Sequence, residues 1–267
     1  MQWSRFAVRI KRRESSYSRP IVSSRLRCHE SDVRATTGYA SRVDRDEVMR
    51  ALRAFQAAGL EYVLIGAAAM GFHGLVRATE DLDLFIRATP ENIEKLRSAL
   101  RAAYAGDPNI DEISSADLLG EYPAVRYVPP TGDLYFDVIT RLGSAASFET
   151  IDAEVKEEDG THIRVATPAA LYRLKKGTNR LQDQVDAEAL YEQRMRVDMP
   201  VQKFRSIEEM NKAPLPESRG SNFERFLRHC ARWWAITPKY YPRGVFKFRT
   251  IEEAQKAREK HVPLKRD

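Results

Sequence analysis

Two short apolar runs, Tyr62–Ile65 and Leu82–Ile86, flank a stretch of small residues from Gly66 to Gly74. Four- and five-residue apolar runs bounded by turn residues read as strands, and the small residues between them read as a short helix or turn that permits close backbone approach. Before the first run, Val48, Met49, Leu52 and Phe55 recur at helical spacing, with Asp46 placed to cap and Gly59 to stop the helix. After the second run, Thr89-Pro90-Glu91 opens another helix with Ile93, Leu96, Leu100 and Ala103 on its apolar face. Val125–Val128 and Leu134–Ile139 predict two strands around a turn at Pro129–Asp133. Ile151–Val155 and His162–Val165 predict a second hairpin around Glu158-Asp159-Gly160, followed by helices over 168–177 and 182–193. Strands and helices mix without strict alternation. The expected class is therefore α+β, a small mixed β-sheet flanked by helices, with a helical C-terminal part and a small appended module.

The tail carries an internal repeat. Val201–Ala213 and Val245–Ala257 are identical at nine of thirteen positions. Each copy runs a short basic and aromatic strand into a capping box, Ser206-x-x-Glu209 and Thr250-x-x-Glu253. An aromatic and basic helix, Phe223 to Trp234, lies between them. These features divide the chain into a basic extension over 1–43, a core domain over 44–194 and an accessory module over 195–267.

Charge sharpens that division. The net charge of +6 is the balance of +7 in residues 1–43, −9 in 44–194 and +8 in 195–267. The core is acidic and the basic surface lies outboard, where it could meet nucleic acid or the acidic core itself. Residues 1–43, rich in Arg and Ser and without a sustained period, read as disordered. The 267 residues contain no apolar run long enough to span a membrane. Two widely spaced cysteines, Cys28 and Cys230, form no metal motif and suit a reducing, cytoplasmic setting.

The candidate chemistry lies where the second apolar run begins. Residues i and i+2 of a strand share a face, so Asp81 and Asp83 project together while Leu82 and Leu84 face the other way. Adjacent carboxylates repel unless a positive group lies between them, and a hard cation such as Mg²⁺ prefers oxygen ligands. Asp137 stands alone in the apolar run Leu134–Ile139. A buried acid needs a partner: it is a third ligand, or it pairs with an arginine such as Arg77 or Arg126. Lys175 and Arg180 lie five apart near a helix end, and Asp183 and Asp186 share a face of the next helix. A solvated helix face has the same spacing. His73 has no Cys or His partner at zinc spacing and reads as a packed histidine.

Residues Ile65 to Asp83 resemble the signature of the DNA polymerase β-type nucleotidyltransferase superfamily, a Gly-Gly or Gly-Ser pair, a spacer and an Asp-x-Asp on a strand. The run Arg77-Ala78-Thr79-Glu80-Asp81-Leu82-Asp83 and the later stretch Leu174–Asp186 are more closely similar to the AbiEii-like toxin nucleotidyltransferases. The resemblance covers roughly residues 45–193. One departure is Ala67, which stands where the pair has Gly or Ser and supplies no hydroxyl.

The resemblance implies a polymerase β-like fold and transfer of a nucleoside monophosphate from an NTP such as ATP, with release of pyrophosphate. It implies Asp81, Asp83 and Asp137 as catalytic residues and as ligands of two Mg²⁺ ions, or Mn²⁺. Gly66, Ala67, Arg77, Thr79, Lys175, Arg180 and Asp183 are the implied nucleotide-binding residues, with Arg77 equally readable as a structural ion pair. The expected acceptor is RNA, in particular a tRNA 3′ end, in a toxin–antitoxin or phage-defence setting. The alternatives are nucleotidylation of a partner protein and a non-catalytic regulatory role. A cognate antitoxin is one expected partner, and the +8 module folding over the −9 core as an internal inhibitor is another.

Overall fold

The computed structural model describes residues 45–132, 134–143, 146–195, 206, 220–236 and 241–259. The basic extension and, Ser206 apart, the first repeat copy lie outside the described residues. Seven strands form one mixed, open sheet: β1 (Tyr62–Ile65), β2 (Asp81–Ile86), β3 (Ala124–Val128), β4 (Tyr135–Ile139), β5 (Ala153–Glu158), β6 (Thr161–Ala166) and β7 (Gly244–Phe248). Their spatial order is β5-β6-β1-β2-β4-β3-β7. The helices are α1 (Arg45–Ala57), α2 (Gly66–Phe72), α3 (Pro90–Ala103), α4 (Ser115–Leu119), α5 (Pro168–Lys175), α6 (Leu181–Met195), α7 (Asn222–Ile236) and α8 (Ile251–Glu259), with a 3₁₀ turn at Pro108–Glu112. The α+β class and the mixed sheet expected from the sequence are those observed.

Local chemistry explains several boundaries. Gly59, at φ +62°, ends α1 in a Schellman motif: its N–H donates to Gln56 O and the Leu60 N–H donates to Phe55 O. Thr89 caps α3 by accepting from the Asn92 N–H, with Pro90 at the first helical position. The second hairpin turns at Asp159 and Gly160, both at positive φ, and this extends β5 to Glu158, three residues past the expected end.

The sheet has two differently used faces. Phe55 of α1 and Tyr104 beside α3 pack edge-on against Phe136. Val48, Met49, Leu52, Phe55, Leu96 and Leu100 are fully buried there. Phe136 alternates with Tyr135 and Asp137 along β4, so α1 and α3 cover the face opposite to the carboxylates. The elements of the accessory segment share the same sheet and core. β7 pairs antiparallel with β3 over five register positions, and α7 buries Phe223, Phe226 and Trp234. The Phe223 ring stacks on Phe72 of α2 at 4.0 Å. A side chain at Gly71 would come within 2.5 Å of the Phe226 ring, so glycine there permits the close approach of α2 and α7.

One buried amide ties the start of the sheet to α3. Asn92 Oδ1 accepts from the Glu61 N–H at 2.8 Å, and its Nδ2 donates to Glu61 O and Arg87 O at 2.9 and 3.0 Å. Asn92→Ala strands these backbone groups and is expected to cost about 2 kcal/mol in urea denaturation. A loss below about 0.5 kcal/mol, the size of an ordinary surface effect, would contradict this role.

Candidate active site

Sheet register builds the site. β2 and β4 are parallel and place Asp83 directly beside Asp137. The antiparallel β3 places Arg126 on the other side of Asp137. β1 sets Ile65 opposite Asp83, so the chain enters α2 at the same end of the sheet. Asp81 precedes Asp83 by two residues and shares its face. Ligand oxygens of Asp81, Asp83 and Asp137 all lie within 4.8 Å of one another. Asp81 is 1% and Asp137 5% exposed, so neither charge can be left to solvent.

Two arginines supply the compensating charge. Arg126 Nε donates to Asp137 Oδ1 at 2.8 Å and Nη2 to Oδ2 at 3.1 Å, a bidentate pair. The same Nη2 donates to Ala254 O of α8 at 3.1 Å. Arg126 also lies over the Tyr135 and Phe248 rings, 4.8 and 5.4 Å from their centroids. The second arginine is Arg258 of α8. Its Nη2 contacts Asp81 Oδ2, Asp83 Oδ1 (3.0 Å) and Asp137 Oδ2 at once.

Three carboxylates against two guanidinium groups leave a local negative excess. Burial, with the Asp81 charge added, pushes Asp83 up to about 6. Burial also works to raise Asp137, but Arg258 and Arg126 outweigh it and hold that carboxyl below its usual range. Burial opposes the charged form of Arg258, and the three aspartates overcome it and keep its pKa well above the ordinary value.

Gly66 sits at φ +67°, and a side chain there would come within 1.9 Å of Asp83 Oδ2. Both the backbone conformation and the space demand glycine at that position. Ala67 is fully buried in the first turn of α2. Thr79 Oγ1 donates to Asp81 Oδ1, and Trp234 Nε1 donates to Thr79 O at 3.3 Å.

The remaining sequence candidates form a second cluster. Lys175 Nζ lies 2.8 Å from both Asp183 Oδ1 and Asp186 Oδ2, and Thr178 Oγ1 donates to Asp183 Oδ2. Burial tends to raise Asp183, but Lys175 wins and lowers it. Arg77 Nε pairs with Asp186 Oδ1 at 3.2 Å rather than with the three aspartates. Arg180 is half-buried just before α6, where its charge also favours ionised Asp183. The loop from Arg77 to Asp81 therefore touches both clusters. His73 is packed as expected: Nε2 lies 2.8 Å from Ala166 O, and burial lowers its pKa.

Sequence reasoning named Arg126 as one possible partner of Asp137 but did not single out Arg258. The signal for Arg258 was the capping box at Thr250-x-x-Glu253. It starts α8, with the Glu253 N–H donating to Thr250 Oγ1, and it sets Ala254 and Arg258 four residues apart on one helix face.

The donor set is suited to a hard divalent cation. Three carboxylates converge where a single guanidinium nitrogen now supplies the positive charge, and no softer ligand is among them. Residues 48–175 match a family model described as nucleotidyl transferase AbiEii toxin, type IV TA system. No curated protein matches the chain at a significant level.

Lys175→Met removes the cation shared by two buried carboxylates. The expected cost is about 3 kcal/mol in chemical denaturation, because the aspartates are left facing each other. An unchanged denaturation midpoint would contradict the geometry described for this cluster.

Proposed function

We propose, from the match of residues 48–175 to the AbiEii nucleotidyl transferase toxin family, that the protein transfers a nucleoside monophosphate from an NTP such as ATP to a hydroxyl of RNA. A tRNA 3′ end is the favoured acceptor. The observation that carries the reading is the convergence of Asp81, Asp83 and Asp137 on two neighbouring strands within the matched segment.

In this reading the three aspartates would hold divalent ions, two Mg²⁺ or Mn²⁺. Bound there, divalent cations would neutralise the triphosphate and stabilise the developing charge of the transfer. The rest falls to the chain's own groups. The acceptor oxygen forms a bond to the α-phosphorus. The bond from that phosphorus to the bridging oxygen breaks, and its electron pair leaves with pyrophosphate. Asp137, paired through both oxygens with Arg126, accepts the hydroxyl proton. Gly66 and Ala67 supply backbone close to Asp83 for the phosphates. Thr79 orients Asp81. Arg77, Lys175, Arg180 and Asp183 hold the nucleotide, Lys175 as a point charge and Arg180 as a planar fork. The basic flanks at +7 and +8 add salt-dependent contacts to an RNA backbone.

The family setting points to a toxin–antitoxin system with a cognate antitoxin. We place it in the cytoplasm, where NTP and tRNA occur. No helix among the described residues is long and apolar enough to cross a membrane.

The test incubates the full chain and its Arg258→Gln variant with Mg²⁺, each labelled NTP, and either total RNA or whole-cell protein. An Asp81→Ala substitution in each background is the control. Label in RNA that disappears with Asp81→Ala is the expected result. Label confined to protein would move the acceptor to a protein side chain. No Asp81-dependent label in either background would contradict nucleotidyl transfer.

A further inference from the structure

The element that closes the carboxylate site comes from outside the matched segment. We propose that the described residues 222–236 and 241–259 act as a tethered inhibitor of this domain, with Arg258 occupying the position that a divalent cation must take. The inference rests on the reading of the three aspartates as cation ligands.

Three observations converge on it. The first is how Arg258 is used. A guanidinium normally meets carboxylates as a fork, through two nitrogens. Here one nitrogen contacts three carboxylates from two strands, which is the arrangement of a point cation. Arg258 Nε, also buried, has no hydrogen-bond partner among the described residues. The side chain thus leaves its Nε–H unused while one terminal nitrogen sits among the aspartates. A guanidinium and a metal ion cannot share that position, because like charges at contact distance repel.

The second is how the segment is held. β7 adds to the exposed edge of β3, the usual mode by which an inhibitory peptide augments a sheet. Lys247 pairs with Asp117 at 2.7 Å and Arg249 with Glu121 at 2.6 Å. Arg243 Nη1 donates to Pro129 O and Gly132 O, both at 2.8 Å. Arg126 clasps α8 through Ala254 O, one turn before Arg258. The contacts pair basic groups of the segment with acids or carbonyls of the domain, as the +8 and −9 partition requires.

The third is what else the segment covers. Trp234 donates to Thr79 O, and Tyr241 donates to Glu80 Oε2, on either side of the link into Asp81. Phe223 and Phe226 lie on α2, the helix that begins at Gly66. Elements α7, β7 and α8, with Tyr241, therefore touch the Gly66 helix, the Thr79–Glu80 approach and all three aspartates. β7 is anchored by its backbone ladder on β3 and α7 by buried aromatic rings, so the movable part is α8, which Arg126 holds through Ala254 O. Opening would withdraw α8 and free the carboxylates for cations.

The test measures Mn²⁺ binding to the full chain from the electron paramagnetic resonance signal of free Mn²⁺, which needs no catalysis. A site closed for nine-tenths of the time or more binds about tenfold more weakly than the open site. Arg258→Gln is therefore expected to bind Mn²⁺ about tenfold or more tightly than wild type, whereas Arg258→Lys, which keeps a cation at the site, stays close to wild type. A double variant, Lys247→Glu with Arg249→Glu, loosens β7 while leaving Arg258 and the aspartates intact, and should shift affinity in the same direction as Arg258→Gln. It decides the matter should Arg258→Gln fail to fold. Equal or weaker Mn²⁺ binding in the folded variants overturns the inference. Tighter Mn²⁺ binding without nucleotide transfer would leave the plug standing and remove the transferase reading. Asp81-dependent transfer with unchanged Mn²⁺ affinity would do the reverse.

Discussion

Three carboxylates with oxygens within 4.8 Å of one another, on neighbouring strands and two of them almost fully buried, set the constraint that the rest of the molecule answers. Such a group cannot ionise in a folded protein without a counter-charge at the same place. Arg126 supplies part of it from β3, bound through two nitrogens to Asp137 and lying over the Tyr135 and Phe248 rings. Arg258 supplies the rest, through one nitrogen at the centre of the three. Even so, Asp83 is held near 6 because burial and the Asp81 charge remain only partly offset. Three carboxylates against two guanidinium groups leave room for more positive charge, which suits the group to a divalent cation.

The same constraint explains the layout of the sheet. The parallel pairing of β2 with β4 sets Asp83 beside Asp137, and the antiparallel return of β3 sets Arg126 on the other side of Asp137. α1 and α3 pack on the opposite face and leave the carboxylate face for other elements. α7 and α8 take up that space, and β7 extends the sheet at the β3 edge. The repeat copy over Val245–Ala257 therefore has two uses in the structure: its strand extends the sheet edge and its helix delivers Arg258.

Much of this was legible in the chain. Period-two alternation put Asp81 and Asp83 on one face, and an acid alone in an apolar strand marked Asp137. Both hairpins, the Thr89 cap and the Gly59 stop were readable because turn and cap chemistry is local. The pairing of β2 with β4 was not, since nothing local specifies which of several short strands become neighbours across a long crossover. The strand at 245–248 was expected, but its place on the β3 edge was not. Arg258 lies 121 residues from Asp137, and only the charge partition hinted that the tail and the core belong together.

Arg258 and a divalent cation, as inferred above, are alternative answers to one electrostatic demand. The melting temperature of Arg258→Gln, with and without MnCl₂, tests it most directly. Without the ion, the variant should melt about 10 °C below wild type, since breaking a buried charge cluster costs several kcal/mol. Adding Mn²⁺ should restore most of that loss while moving wild type little. A variant that melts with wild type, or that Mn²⁺ stabilises no more than wild type, would contradict the claim.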